Sequence, residues 1–225
     1  MYMENKMKFD YQEIETIEEF NLRWYLTPIE PFPSITSMLS KTKSKESEMA
    51  IKRWQESIGL EKANKILTDA GTNGTAVHLL CERYLKKEDL KKEEFTQFQL
   101  EGFFSLKPYL NKITDVWGQE VALFSKTLRI AGRCDCIGIF EGKESIIDFK
   151  TSLRNKNSND IEDYYYQLAF YAQAHNEMFG TNINNGVILM TNANGLPSRF
   201  EVDLNKYYDK LKNRVNEFYK LLLNF

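Results

Sequence analysis

The residues of this 225-residue chain that could do chemistry begin with two aspartates and a lysine. Asp148, Phe149 and Lys150 follow the apolar run 145–147, and Asp135 lies on an earlier predicted strand. Side chains alternate between the two faces of a strand, so Asp148 and Lys150 point to one side and Phe149 to the other. Two carboxylates beside an ammonium group can hold a divalent cation and handle the proton of a water molecule. The arrangement predicts metal-assisted hydrolysis, for which a phosphodiester is a suitable substrate.

A histidine near a predicted helix start is a further candidate ligand. His78 follows Gly74 in a Gly-x-x-x-His pattern, and Gly74 lies in the turn-like stretch 71–75. We interpret this stretch as a turn that opens a helix, which would project His78 from the helix N-terminus toward the strands. The free N–H groups of that helix start, together with Thr75, could then receive a phosphate. The alternative is a partly buried histidine that makes one hydrogen bond.

The acids on the predicted strands have both functional and structural interpretations. Asp135 lies in an otherwise apolar run, where an aspartate is costly to bury unless it is paired or binds a metal. Asp148 meets the same objection, and its alternative role is a structural salt bridge with Lys150. Glu120, on the preceding strand, could face the same side as Asp135 as an accessory metal ligand. Otherwise it is an exposed glutamate on an edge strand.

Polar side chains that follow the lysine could support the site. Gln167 and Tyr171 are one helical turn apart and share a face, from which they could hold the lysine or a nucleic-acid strand. Thr151 and Ser152 come directly after the lysine, and they can donate to phosphate oxygens or else cap a loop. His175 lies one turn beyond Tyr171, and we interpret it as structural.

The composition is that of an ordinary globular chain. Apolar residues make up 42%, charged residues make up 28%, and the formal net charge is −2. This charge argues against a generic nucleic-acid coat but not against an enzyme that acts on nucleic acid. No apolar run approaches the roughly 20 residues that span a bilayer, and the start lacks signal and transit patterns, so we expect an intracellular protein. Cys81, Cys134 and Cys136 support neither a disulfide framework nor a zinc site, and Cys134 and Cys136 are expected to be buried.

The elements that must position these side chains are mostly helical before residue 110 and mixed afterwards. Short strands are predicted at 7–11 and 22–26, an exposed loop at 40–48, and helices at 34–39, 48–58, 61–69, 76–84 and 91–110. The later part comprises strands at 119–125, 128–140, 144–150, 185–191 and 199–202, turns at 141–143 and 194–197, and helices at 161–179 and 204–223. The pattern predicts an α/β (α+β) fold with a mixed central β-sheet flanked by helices. We divide it into an N-terminal helical region, 1–110, and a core, 111–225, within one compact unit.

Taken in order, the motifs resemble those of a known enzyme superfamily. Gly74-x-x-x-His78, Gly132-x-x-Asp135, Asp148-x-Lys150 and Gln167-x-x-x-Tyr171 look like the sequential motifs of the PD-(D/E)xK nucleases, in their RecB-type exonuclease branch. The stretches 33–39, 51–54 and 74–78 further resemble the mitochondrial genome maintenance exonucleases and their phage-encoded relatives. The resemblance covers roughly residues 8 to 191. The four motifs in this order are much more specific than any one of them.

The resemblance implies a restriction-endonuclease-like core and a role for each motif residue. The implied ligands of Mg²⁺ or Mn²⁺ are His78, Asp135, Asp148 and the backbone carbonyl of Phe149. Lys150 would orient or deprotonate the attacking water, and Gln167 and Tyr171 would support the site and the substrate. Asn73 stands where relatives often carry arginine, which removes one expected phosphate contact. The four-cysteine cluster of the iron–sulfur members is missing, so no such cluster is expected.

These expectations combine into a metal-dependent DNA exonuclease that digests free, single-stranded ends in replication, recombination or repair. The resemblance implies that the strand is threaded between the N-terminal helices and the sheet. The rivals are a structure-selective flap endonuclease and a catalytically silent clamp that binds nucleic acid on the same scaffold. We expect a monomer without membrane contact, with a replication or recombination protein as a partner. Its expected location is the cytoplasm of a bacterial or phage-infected cell rather than a mitochondrion.

Overall fold

The computed structural model describes residues 8–193 and 196–223. The helices are α1 (Ile35–Lys41), α2 (Lys45–Ile58), α3 (Leu60–Leu85), α4 (Gln97–Leu110), α5 (Glu162–Phe179) and α6 (Tyr208–Leu223), and 3₁₀ turns lie at Lys92–Glu94, Ser158–Ile161 and Leu204–Lys206. The strands are β1 (Thr16–Glu19), β2 (Leu22–Leu26), β3 (Pro31–Pro33), β4 (Ile113–Ser125), β5 (Ile130–Phe140), β6 (Lys143–Ser152), β7 (Asn185–Asn192) and β8 (Pro197–Asp203).

A mixed five-stranded sheet forms the centre of the molecule, which confirms the predicted fold class. Its strand order is β4-β5-β6-β7-β8, and only the β6–β7 pair is parallel. The parallel pair needs a crossover connection, and α5 supplies it between β6 and β7. The carboxyl ends of β6 and β7 therefore lie at the same edge of the sheet.

Helices cover both faces of this sheet because each face carries its own apolar cluster. On one face, Val77 and Leu80 of α3 and Phe103 of α4 pack with Ile147 of β6. On the opposite face, α5 packs with α1 and α6 over a cluster that includes Ile146. Successive residues of β6 thus enter opposite cores, as the period of a strand requires. Both clusters draw on residues before and after position 110, and the proposed division there stays a prediction.

The β5–β6 hairpin sets the alignment that the site depends on. Glu141 and Gly142 both have positive φ, at 46° and 83°, which is the backbone of a two-residue type I′ turn. The turn was predicted from its sequence, and it pairs Phe140 with Lys143. Four residues farther from the turn on each strand, Cys136 pairs with Ile147.

A smaller sheet, β1-β2-β3, packs beside the edge of the main sheet. Ile14, Tyr25 and Phe32 form a cluster with Ala122 of β4 and Ala131 of β5. The segment that precedes β1 crosses the same edge, because Tyr11 and Glu13 contact the main sheet and its helices.

The helix start predicted at residues 71–75 is wrong. These residues lie inside α3, a continuous helix of 26 residues. The hydroxyl of Thr75 donates to the Gly71 carbonyl at 3.1 Å, and helical N–H groups at this position are already used by the backbone. Gly74 serves close packing rather than a turn, since a Cβ added there would lie 3.2 Å from Thr151 Oγ1 on β6.

Smaller differences from the predicted elements have local causes. Residues 8–11 do not form a strand, and Met7 lies outside the described residues. The predicted loop at 40–48 shortens to a few residues, because Ser44 caps α2 by accepting from Ser47 N. The start of α1 was predicted correctly, with Ser34 as the cap. The turn predicted at 194–197 includes Asn194 and Gly195, which lie outside the described residues.

The cysteines lie in the interior of the molecule. Cys81, Cys134 and Cys136 are free and fully buried, as predicted for the last two. Within residues 8–193 and 196–223, no helix combines the length and apolar character needed to cross a membrane.

Candidate active site

Three carboxylates lie in a row across three neighbouring strands. Gln119 of β4 pairs with Cys136 and Val121 pairs with Cys134, which places Glu120 opposite Asp135 of β5. The β5–β6 ladder ends at the Cys136–Ile147 pair, so Asp135 and Asp148 occupy the next position on each strand. The register of the sheet therefore brings Glu120, Asp135 and Asp148 together.

His78 joins this row from the C-terminal part of α3, not from a helix N-terminus as the sequence had suggested. Its Nδ1 lies 3.3 Å from Asp135 Oδ2, and one ligand atom each from His78, Glu120 and Asp135 fit within 4.8 Å of one another. The imidazole stands edge-on to the Phe149 ring, with centroids 6.0 Å apart and an interplanar angle of 89°. Burial, reinforced by Lys150, lowers the pKa of His78. The ring is thus kept neutral, which is the state that binds metals.

Asp148 and Lys150 form the most buried part of the site. Asp148 is 1% exposed, and its Oδ2 lies 2.5 Å from Lys150 Nζ. Burial raises the pKa of Asp148 to about 7, Asp135 adds to the rise, and Lys150 opposes it. Phe149 points the other way into the core under α3 and α4, so the predicted division of faces is confirmed.

The lysine has the opposite pKa shift from the one expected beside a cation. Burial by itself lowers the pKa of Lys150, but Asp148 and Asp135 outweigh burial and the net direction is upward. A cation between them would reverse this balance, because it places a second positive charge beside the ammonium group.

The side chains present fit a divalent cation. Asp148 Oδ1 is buried without a hydrogen-bond donor among the described residues, and a buried unpaired carboxylate oxygen is costly unless it meets a cation. The three carboxylates and one imidazole supply hard oxygen donors and a nitrogen, a set that suits Mg²⁺ or Mn²⁺. Glu120 fits the same interpretation, since burial, Asp135 and Glu82 raise its pKa to about 7.

Gln167 and Tyr171 share one face of α5, as predicted, but they contact each other. Gln167 Nε2 donates to the Tyr171 hydroxyl at 3.1 Å, and both side chains are buried. Tyr171 lies against Gly132, where an added Cβ would come within 3.0 Å of its ring. The glycine of the Gly-x-x-Asp motif thus allows α5 to approach β5. Their predicted support of Lys150 or of the substrate stays a prediction, and another tyrosine of the helix lies beside Lys150.

That tyrosine is Tyr164, which the sequence reasoning did not select. Lys150 Nζ lies 5.2 Å from the centroid of its ring, and Lys156 Nζ donates to its hydroxyl at 3.0 Å. Tyr164 precedes Gln167 by three residues and therefore shares its helical face. This spacing was the available signal.

The predicted phosphate donors lie around the carboxyl end of β6. Ser152 caps the loop that follows, because its hydroxyl donates to the Arg154 carbonyl at 2.7 Å. Thr151 lies beside Gly74 of α3, and Thr75 is exposed on that helix. Their contact with DNA stays a prediction.

Comparison with known proteins assigns the site to a family. The sequence profile described as the PD-(D/E)XK nuclease superfamily matches residues 39–206, which include every motif residue named above. The chain belongs to the PD-(D/E)XK nuclease superfamily. The predicted resemblance is thereby confirmed, and the mixed sheet of this PD-(D/E)XK nuclease is the fold expected of the superfamily.

The PD-(D/E)XK nuclease is also similar to individual exonucleases. Mitochondrial genome maintenance exonuclease 1 is 25% identical in Homo sapiens over 198 residues and 26% identical in Mus musculus over 200 residues, which is 83% of this chain in each case. The chain spans 58% of the length of these curated relatives. A crystal structure from Eubacterium rectale has a TM-score of 0.46 and 11% identity over 66% of each chain, a likeness too low to add to the argument.

Proposed function

We propose that the protein is a divalent-metal-dependent DNA exonuclease that hydrolyses phosphodiester bonds from free, single-stranded ends. The observation that carries the proposal is the meeting of Glu120, Asp135 and Asp148 with His78 and Lys150 where the pairing of β5 with β6 ends. The family supports nuclease chemistry, and the names of the similar proteins support the exonuclease class.

The residues take the following roles in this proposal. Asp135, Asp148, His78 and the Phe149 carbonyl would hold a Mg²⁺ or Mn²⁺ ion, with Glu120 as an accessory ligand. When bound, the ion lowers the pKa of water and neutralises charge on the scissile phosphate.

Lys150 would orient the attacking water, and its neutral amine could accept the water's proton, because a bound cation would disfavour the ammonium form. Asp148 fixes the ammonium group through the 2.5 Å contact. Tyr164 holds the same group from the side of α5. The Gln167–Tyr171 pair supports the floor of the site beside Gly132.

The decisive experiment is digestion of end-labelled linear single-stranded DNA in Mg²⁺ or in Mn²⁺. Asp148→Asn and Lys150→Ala are each expected to lower the rate by at least about a hundredfold, the scale of general acid–base catalysis. Lys143→Ala is the matched control, since Lys143 lies at the other end of β6 and pairs with Glu201. Unchanged digestion by both site variants would sink the proposal.

The form of the DNA separates the proposed activity from its rivals. A circular single strand should resist digestion, because an exonuclease requires a free end. Cutting of closed circles would favour the flap endonuclease, and retention of DNA without cleavage in either metal would favour the silent clamp. The complete ligand set around Lys150 argues against the silent clamp. A role in replication, recombination or repair, the protein partner and the cytoplasmic location stay predictions.

A further inference from the structure

Glu120 has a backbone conformation that is unusual inside a strand. Its φ is 52°, in the left-handed region, while Gln119 and Val121 on either side keep their pairing with β5. A residue with a side chain adopts this conformation only where its surroundings hold it, and such residues cluster at functional sites. Glu120 lies on an edge strand, yet its carboxylate lies within 4.8 Å of ligand atoms of His78 and Asp135.

Arg133 holds that backbone from the neighbouring strand. Its Nη1 donates to the Glu120 carbonyl oxygen, and its Nη2 donates to Glu13 Oε2 at 2.9 Å. The planar guanidinium can serve two acceptors at a fixed angle, which a lysine ammonium group cannot reproduce. Glu13 belongs to the segment before β1. The two hydrogen bonds of Arg133 therefore join this segment, β4 and β5, which are separate in the sequence.

We propose that Arg133 is a positioning residue for the divalent cation, because it holds the left-handed backbone that turns the Glu120 carboxylate toward His78 and Asp135. This inference rests on the proposed function for the presence of a cation. Arg133 touches neither the cation nor DNA in this scheme and acts only through Glu120. Mutation of a group that hydrogen-bonds to a metal ligand and orients it commonly lowers metal affinity by about 10- to 100-fold.

The test measures Mn²⁺ binding to the DNA-free protein by titration calorimetry and by the electron paramagnetic resonance signal of free Mn²⁺. Arg133→Met keeps the apolar stem and removes the donors, and it should weaken Mn²⁺ binding about tenfold. Glu120→Gln should weaken binding by at least as much. The double variant should bind no more weakly than Glu120→Gln alone, because Arg133 acts through that one residue.

Two further variants keep the test decisive. Arg133→Lys keeps the positive charge but cannot donate to both acceptors at once, so it should also weaken Mn²⁺ binding. If circular dichroism shows that Arg133→Met does not fold, Arg133→Lys replaces it in the test. Arg129→Met is the matched control, since Arg129 directly precedes β5, the strand that carries Arg133, and pairs with Glu30 at 2.8 Å. It should bind Mn²⁺ as the wild type does.

The outcomes separate this inference from the proposed function. Wild-type Mn²⁺ affinity in a folded Arg133 variant overturns the inference, and so does a double variant whose loss is the full product of the single losses. Wild-type protein that binds Mn²⁺ but cleaves no DNA contradicts the proposed function and leaves the inference standing. Wild-type protein that cleaves DNA while the Arg133 variants bind Mn²⁺ normally contradicts the inference alone.

Discussion

At the scale of single residues, burial decides which protonation state each group holds. Asp148 and Glu120 are drawn toward neutrality by their surroundings, and the pKa of each rises to about 7. His78 and His175 are also driven toward their neutral forms, but their pKa values fall, because burial disfavours the charged imidazolium. The difference is that His78 stands beside carboxylates that can share a metal, whereas the ring nitrogens of His175 lie next to hydroxyl groups. Tyr11 lies 2.9 Å from its Nε2, and Thr181 lies 2.8 Å from its Nδ1.

His175 should make the stability of the protein depend on pH. Burial, helped by Lys8, lowers its pKa to about 4, against about 6.5 in the unfolded chain. The unfolded state therefore binds the extra proton as pH falls from about 6.5 to 4, and stability is lost over that window. Between pH 7.5 and pH 5 the His175 contribution to the free energy of unfolding should fall by about 2 kcal/mol.

Urea unfolding with EDTA at both pH values measures this loss. His175→Gln should show a correspondingly smaller drop between pH 7.5 and pH 5, whatever its stability at pH 7.5. An equal drop in the wild type and the variant would contradict the assignment.

At the scale of elements, the sequence predicted what local chemistry controls. The hairpin turn at Glu141-Gly142 and the helix start at residues 34–39 depend on a few adjacent residues, and both are confirmed. The stretch 71–75 misled because its glycines and threonines are turn formers locally, while the packing of α3 on β6 decides its conformation.

The site shows the same limit on prediction. The motif residues could be found from the sequence because the chemistry of an acid or a lysine follows from its residue type. The contact between Arg133 and the Glu120 carbonyl depends on the register of two strands, so no short stretch of sequence contains it. The positive φ of Glu120 has no local sequence signal either, since glutamate is not a residue that favours this region.

The continuity of α3 predicts different effects on stability for alanine at two of its glycines. A Cβ added at Gly71 meets nothing within 4 Å, so Gly71→Ala should raise the free energy of unfolding by about 0.5–1 kcal/mol through helix propensity. Gly74→Ala should gain less or lose stability, because its Cβ would lie 3.2 Å from Thr151 Oγ1. Urea unfolding of both variants checks the pair. Destabilisation by Gly71→Ala would instead support a turn at this position.

At the scale of the whole molecule, charge is distributed unevenly around the site. An open groove of about 1370 Å³ runs past Glu120, and its lining residues include six carboxylates against four basic side chains. A phosphate backbone is repelled by such a surface. The side of the site beyond Lys150 carries Tyr164 with Lys156, and Arg154 follows Ser152 in the same loop. DNA should therefore approach from the end of β6 rather than along the acidic groove.

This asymmetry predicts different roles for two lysines. The logarithm of the DNA-binding constant falls as the logarithm of salt concentration rises. Lys156→Gln should make this slope shallower by about 0.7, the value for one phosphate contact on a single strand. Lys87→Gln is the control, because Lys87 lines the acidic groove, and it should leave the slope unchanged. Fluorescence anisotropy with a hydrolysis-resistant phosphorothioate strand gives both slopes. Equal slopes for the wild type and Lys156→Gln would place the DNA elsewhere.

The spread of the ligands along the chain also bears on how long the protein survives in a cell. His78 and Asp148 are seventy residues apart, and α3, β4, β5 and β6 must all be in place before their side chains meet. A cation held by them binds the folded chain and not the unfolded one, and at a hundred times its dissociation constant it adds about 2.7 kcal/mol to stability. Proteases act on the transiently opened chain. The supply of divalent metal would thus regulate the protein's rate of turnover as well as its catalysis.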